Sequence, residues 1–422
     1  MSAVDAAPHE DAPPGRASYR DVLGIGEFRV MFAASIVSML GNVIASVALT
    51  VLIFERTHSA ALASLVMALS FLPYLVGGVF LGTVVDRLPA RRVLVGCDLA
   101  SAAVVAVMVI PGVPVAGLLA LVFAEGLVAP VFQGVRSALL PDILPPGPPY
   151  VLGRSLMRMV SQGAQIAGYG AGGLLLAFLP PRGALAADAL SFLGSAILLR
   201  LGTARRLPQA GASRPGGVAR PGGKGTMARD SLAGLRASLG HRATRRILLF
   251  GWLVPACSVA PEALAAPYAT HIGQPARVAG FLLMGIPAGT VIADVLAARL
   301  LSPWWQRRIV VPAGLLSFVP LAGFAVSPGL ALALALLVIA GLGSAYMAGM
   351  DGLLVATAPP GLRNRALALS SAGLMFTQGA GFALWGLVGQ YVPLAVVIPA
   401  AAVTGAVAVV ALRPSSGDAP LA

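Results

Sequence analysis

This chain is constrained most by a succession of apolar runs, each long enough to cross a bilayer and separated by short loops that hold most of its charge. A membrane helix needs about 20 apolar residues to cross a ~30 Å hydrocarbon core. Twelve spans are expected on that rule, near 28–54, 59–81, 93–111, 114–137, 157–179, 183–201, 247–269, 277–299, 309–326, 330–355, 366–389 and 394–412. Two of the splits are very short, at the turn of Pro111, Gly112 and Pro114 and at Ser327, Pro328 and Gly329. Only 11% of residues are charged and 58% are hydrophobic, whereas soluble domains carry about 25% charged residues. The 50 glycines and 33 prolines suit membrane helices, where neighbours and water satisfy freed backbone groups.

The net charge of +13 does not imply a nucleic-acid partner, because the basic residues sit in short loops between apolar runs. Their distribution gives orientation instead, since cytoplasmic loops are enriched in Lys and Arg. With the N-terminus inside, 26 of the 29 basic residues are cytoplasmic, leaving Arg56, Arg182 and Arg277 outside. This predicts a multi-pass protein of the inner or plasma membrane with both termini cytoplasmic. Asp5, Glu10 and Asp11 precede the first basic residues, so the start lacks the basic region of a cleaved signal peptide. Cys97 and Cys257 both fall in apolar runs; they form no disulfide framework or metal spacing.

The chain divides at its middle. The expected units are a cytoplasmic tail (1–27), a six-helix bundle (28–201), a basic linker (202–246), a second six-helix bundle (247–412) and a short tail (413–422). The linker is rich in Gly, Pro, Arg and Ala, as in QAGASRPGGVARPGGKG, a flexible composition. Its Lys224 is followed by Gly225, so it is not a phosphate-binding loop. The halves read as diverged repeats offset by about 216 residues, which is the organisation of transporters built around a midplane site.

Residues 82–92, GTVVDRLPARR, concentrate charge between the second and third spans. This stretch resembles the loop between helices 2 and 3 of major facilitator superfamily transporters. Gly82, Asp86, Arg87 and Arg91 fit that loop, with Pro89 where Gly is usual. SMLGN at 38–42, GYGAGGLLL at 168–176, DALSF at 188–192 and PPGLRNR at 359–365 are similar to segments of the drug-efflux branch, which includes macrolide and siderophore exporters. The resemblance covers 28–412. It implies an all-α integral membrane fold of two six-helix pseudo-repeat halves and a latching role for Asp86, Arg87, Arg91 and Arg92, with Asp142 as a partner for the arginines.

Ionisable groups inside a membrane are costly and usually functional. Glu125, in LVFAEGLVAP, lies near the middle of the fourth span and is the candidate for proton coupling or for binding a substrate cation. Asp188 and Glu262 are expected near outer helix ends, lining an external mouth. Asp98 and Asp294 are expected near inner ends, as gate or packing partners. Arg136 and Asp351 occupy nearly matched positions under the repeat offset and could form a cytoplasmic gate. Asn42, Gln133, Gln162, Gln165, Tyr169, Tyr346 and Gln378 are candidate cavity groups. No catalytic motif is present and no loop is long enough for a catalytic domain, so an enzyme is not expected.

The expectation is a secondary transporter, working as a monomer without a cofactor and drawing on a proton gradient. It would export a small amphiphilic compound by alternating access. A lipid or metabolite flippase or facilitator without proton coupling stays open, as does a non-transporting sensor or scaffold.

Overall fold

The computed structural model describes residues 18–74, 88–204, 206, 240–357 and 363–414. All regular structure among them is helical. The first group of helices is α1 (Tyr19–Gly24), α2 (Gly26–Thr57), α3 (Ala60–Phe71), α4 (Ala90–Val109), α5 (Val115–Ile143), α6 (Pro148–Phe178) and α7 (Pro181–Gly202). The second is α8 (Arg242–Ser258), α9 (Ala260–Ala263), α10 (Ala265–His271), α11 (Ala279–Leu300), α12 (Pro303–Arg308), α13 (Val310–Leu316), α14 (Leu330–Leu342), α15 (Tyr346–Thr357), α16 (Arg363–Tyr391) and α17 (Leu394–Ala411). Short 3-10 turns cover Ala276–Val278, Val319–Val326 and Gly343–Ala345.

Among the described residues, eight helices are long and apolar enough to cross a membrane. The other four expected regions hold α6 and α16, which are long but more polar, and two shorter apolar helices, Ala60–Phe71 and Val310–Val326. Length and apolarity thus support at least eight crossings and leave the count of twelve unestablished. The lipid-facing surface is apolar, as at Phe178, Leu201 and Val403. That is expected where the solvent is hydrocarbon and only the backbone must be satisfied internally.

The local chemistry explains the breaks. α2 ends at His58, whose positive φ of 48° places its N–H on the Phe54 carbonyl. Ser59 then caps α3, its hydroxyl accepting from the Leu62 N–H at 3.2 Å, as N-cap serines do. The two short splits expected from sequence are both turns, with φ 95° at Gly112 and φ 48° at Ser327. The expected seventh span is less regular than anticipated, divided among α8, α9 and α10. Pro255, Pro261 and Pro267 recur through it, and each lacks the N–H that would continue the helical ladder.

Three cores hold the helices. One joins α1, α2, α4, α5 and α7 around Phe28, Met31, Leu94 and Leu139. A second, nearer the other end of the same helices, gathers Ile53, Val105, Leu118 and Phe192. The third joins the two groups of helices. There Phe71 stacks on Phe382, with centroids 5.7 Å apart, and the Ser59 hydroxyl donates to Gln390 Oε1 at 2.9 Å. α6 meets α11 where a Cβ on Gly280 would lie 2.5 Å from the Gly173 nitrogen. Small residues of this kind let membrane helices approach backbone to backbone. The Ser59–Gln390 bond and the Gly173–Gly280 approach lie at the end that carries the Ser59 turn, and the Phe71–Phe382 stack lies deeper, at the other end of α3.

In the second group, the buried Tyr268 donates its hydroxyl to the Pro328 carbonyl at 2.7 Å and packs edge-on to Phe324. Tyr268→Phe removes the donor and leaves a carbonyl unpaired, so it should cost about 1–2 kcal/mol. Thermal unfolding of the detergent-solubilised protein checks this, with Tyr391→Phe as an exposed control.

Candidate functional site

Glu125 lies on α5 about 15 Å along the helix from Val115, at 1.5 Å per residue. α5 approaches α3 closely here, since a Cβ on Gly126 would sit 2.8 Å from the Leu69 carbonyl oxygen. Asn42 on α2 donates through Nδ2 to Glu125 Oε1 at 3.3 Å. Asn42, Ser46, Ser70, Glu125 and Asp188 line one small cavity of about 30 Å³, otherwise walled by apolar side chains. That is room for about one water molecule.

Asp188, in the first half of α7, is 2% exposed. Its Oδ1 accepts from the Ser191 hydroxyl at 3.1 Å. Both press on Gly41 of α2, where an added Cβ would meet Ser191 Oγ at 2.1 Å and Asp188 Oδ1 at 2.4 Å. The glycine is therefore needed for this approach of α2 to α7. Asp188 and Glu125 are within electrostatic reach of one another, so α5 and α7 bring a buried and a half-buried carboxyl to one small cavity.

Arg136 is also buried. Its Nη1 donates to Ser35 Oγ at 3.0 Å and its Nη2 to Gln133 Oε1, and its guanidinium lies over the Phe132 ring. These described partners belong to α2 and α5, and the Asp351 side chain lies outside the described residues. Tyr74 lies within electrostatic reach of both Glu125 and Arg136.

Tyr169 is buried in α6 beside the Gly173–Gly280 approach. It lies beside Gln165 and within electrostatic reach of Glu262. Glu262 sits on the short α9, flanked by the buried Ala260 and Ala263, next to the end of the apolar span Arg242–Ala263. Gln162 and Gln378 are half-buried, and Tyr346 packs edge-on to Phe250 at 5.5 Å. The cavity candidates are thus dispersed: Asn42, Glu125 and Asp188 come together, and so do Tyr169, Gln165 and Glu262.

Gly82, Asp86 and Arg87 lie outside the described residues. Arg91 and Arg92 open α4, the first half-buried and the second exposed. The main-chain carbonyl of Asp142 accepts from Arg206 Nη2 at 3.2 Å. Arg206 also pairs with Glu27 at 2.5 Å, and this hydrogen-bonded carboxylate holds the guanidinium above its ordinary range. Arg206 and Ser35 are contact residues that the sequence reading did not single out. An arginine in a low-complexity linker and a serine in an apolar helix carry no local signal for the partners they find.

A family model, Major Facilitator Superfamily, matches residues 31–261, more than half of the chain. Macrolide efflux protein A of Streptococcus pyogenes is 34% identical over 84 residues, which are 20% of this chain and 21% of that protein. The matched part thus spans about a fifth of that relative. Among solved structures, the nucleoside transporter NupG matches with a TM-score of 0.70 at 15% identity, over 91% of this chain and 98% of that one. A bacterial homologue of the human lysosomal transporter Spinster matches with 0.69 at 14% identity, over 93% and 98%. A bacterial homologue of the iron transporter ferroportin matches with 0.61 at 16% identity, over 92% and 98%. These likenesses carry the fold. Family and fold together make the protein a multi-pass membrane transporter rather than an enzyme, and the chain belongs to the Major Facilitator Superfamily.

Proposed function

We propose that the protein exports a small amphiphilic compound by alternating access, coupled to proton entry through Glu125. The observation that carries this reading is the Asn42–Glu125–Asp188 cavity. Its two carboxyls, Asp188 buried and Glu125 half-buried, sit on helices packed closely enough to bias one another, which is where a transporter can take up and release a proton. The 84-residue likeness to a macrolide efflux protein supports export and a macrolide as the first compound to try. The Ser59–Gln390 bond and the Gly173–Gly280 approach join the two helix groups at the Ser59 end. With both termini cytoplasmic, that is the closed outer side of an inward-facing state. The proposed units are the bundles 28–201 and 247–412 joined by the basic linker 202–246, acting as a monomer in the cell membrane. Arg136 and Asp351 in this reading belong to the inner gate, and the loop from Gly82 to Arg92 to its latch.

The test is transport by the full chain in proteoliposomes, with a radiolabelled macrolide outside and an acidic lumen. Protons leaving should drive accumulation above the equilibrium level. Equal uptake with and without the gradient would make the protein a facilitator.

A further inference from the structure

We infer that a line of buried side chains on α7 and α4 forms a proton route from the central carboxyls toward the Gly202 end of the bundle, separate from the path of the substrate. Asp188, Ser191 and Ser195 follow one another at spacings of three and four residues, so they share one face of α7. From Asp188 to Ser195 the face descends about 10 Å, at 1.5 Å per residue. Across from Ser195, on α4, stands Asp98. Asp98 and Ser195 are 3% and 0% exposed. Asp98 Oδ2 and Ser195 Oγ meet no partner with full hydrogen-bond geometry among the described residues, but the two side chains lie close enough to hydrogen-bond to each other.

A bare carboxylate at such a place is too costly to persist, whereas a carboxyl that holds a proton and passes it on tolerates it. The upper end of the line is already bonded: Ser191 donates to Asp188 at 3.1 Å, and Asp188 shares the cavity of Glu125. Ser191 and Ser195 are one turn apart, about 6 Å, a gap that one water molecule bridges. A proton received by Asp188 from Glu125 passes to Ser191, on to Ser195 and then to Asp98, each group releasing one proton as it accepts one. No other bond changes. The titratable groups facing the line are Glu125 at one end and Cys97, beside Asp98, at the other.

The proposal rests on Glu125 as the coupling carboxyl, but its test is independent of transport. Infrared difference spectra of the purified full-length protein, taken after a switch into heavy water, follow exchange at each protonated carboxyl. Asp188→Asn, Asp98→Asn and Glu125→Gln assign the bands. Exchange at Asp188 should slow by roughly tenfold or more in Asp98→Asn and in Ser195→Ala, as loss of a positioned proton donor does, and should keep its rate in Glu125→Gln. Ser195→Ala removes only a hydroxyl, so it stays informative if Asp98→Asn fails to fold. Slowing by Glu125→Gln alone would show that protons reach Asp188 from the central cavity and would overturn the route. So would the absence of any protonated Asp188 band, or a sodium-dependent shift of the Asp98 band, which would make that pair a cation site. Failure of Glu125→Gln to alter gradient-driven transport would remove the function reading and leave the exchange result standing on its own.

Discussion

Glu125→Gln is expected to abolish gradient-driven accumulation by the reconstituted protein, while exchange of labelled for unlabelled substrate across the same membrane continues. Glutamine keeps the length of glutamate and keeps a carbonyl oxygen where Asn42 Nδ2 now donates at 3.3 Å. The contacts between α2 and α5 therefore survive, and so should folding. The proton-binding function does not, because an amide neither takes up nor releases a proton near neutral pH. Removing a group that must carry a proton through each cycle should lower the driven rate by about 10²-fold or more. Alternating access without a proton is still possible through the substrate-loaded form, which is why exchange is the discriminating control. Asp188 shares the cavity and offers a second carboxyl, so residual drive in Glu125→Gln should vanish in Glu125→Gln with Asp188→Asn. Wild-type accumulation in the single variant, with normal proton flux, would assign Glu125 a packing role and move the search to Glu262 and Tyr169.

The place of Glu125 within its helix was legible in the sequence, and its partners were not. A carboxyl about ten residues into an apolar run must be near midspan, because the rise of a helix is fixed. That Asn42, 83 residues earlier, meets it depends on how α2 crosses α5, and no local pattern encodes a crossing. Asp188 shows the same limit from the other side. Counting residues from the helix start places it toward the outer end, and only the packing shows that the glycine at position 41 draws α7 against α2 and buries the carboxyl there. The short splits were legible because Pro and Gly act on the backbone directly, and Gly112 and Ser327 turn where the pattern says. The prolines at 255, 261 and 267 carried equally local information about the fragmented seventh span. An apolar run conceals it, because hydropathy records the solvent and not the backbone. The spacing of Asp188, Ser191 and Ser195 was also visible as one helical face, yet it acquires meaning only when Asp98 is seen opposite. The loop residues Gly82, Asp86 and Arg87 lie outside the described residues, so their role as a latch remains a proposal that rests on resemblance.

The crossing of α11 and α14 should be the most intolerant point of the second bundle, and Gly289→Ala should show it. A Cβ at Gly289 would lie 2.1 Å from the Val338 carbonyl oxygen and 2.8 Å from the Gly341 Cα; a Cβ at Gly341 would lie 2.3 Å from the Ile286 carbonyl oxygen. Each obstacle is backbone, so no rotamer change relieves it, and the two helices must separate. Separation forfeits the close packing that drives membrane helices together, since lipid supplies no hydrophobic force between them. Overpacking of this kind costs about 1–3 kcal/mol and occasionally more, and the upper end applies where both sides of the contact are main chain. Gly194→Ala is the matched control, because a Cβ there meets nothing within 4 Å and alanine is the better helix former. Fluorescence-detected size-exclusion chromatography after a heating series should show Gly289→Ala losing its monodisperse peak well below wild type, with Gly194→Ala at or above wild type. Equal thermal survival of Gly289→Ala and wild type would mean that α11 and α14 do not touch through their glycines, and the packing of the second bundle would have to be redrawn from that crossing outward.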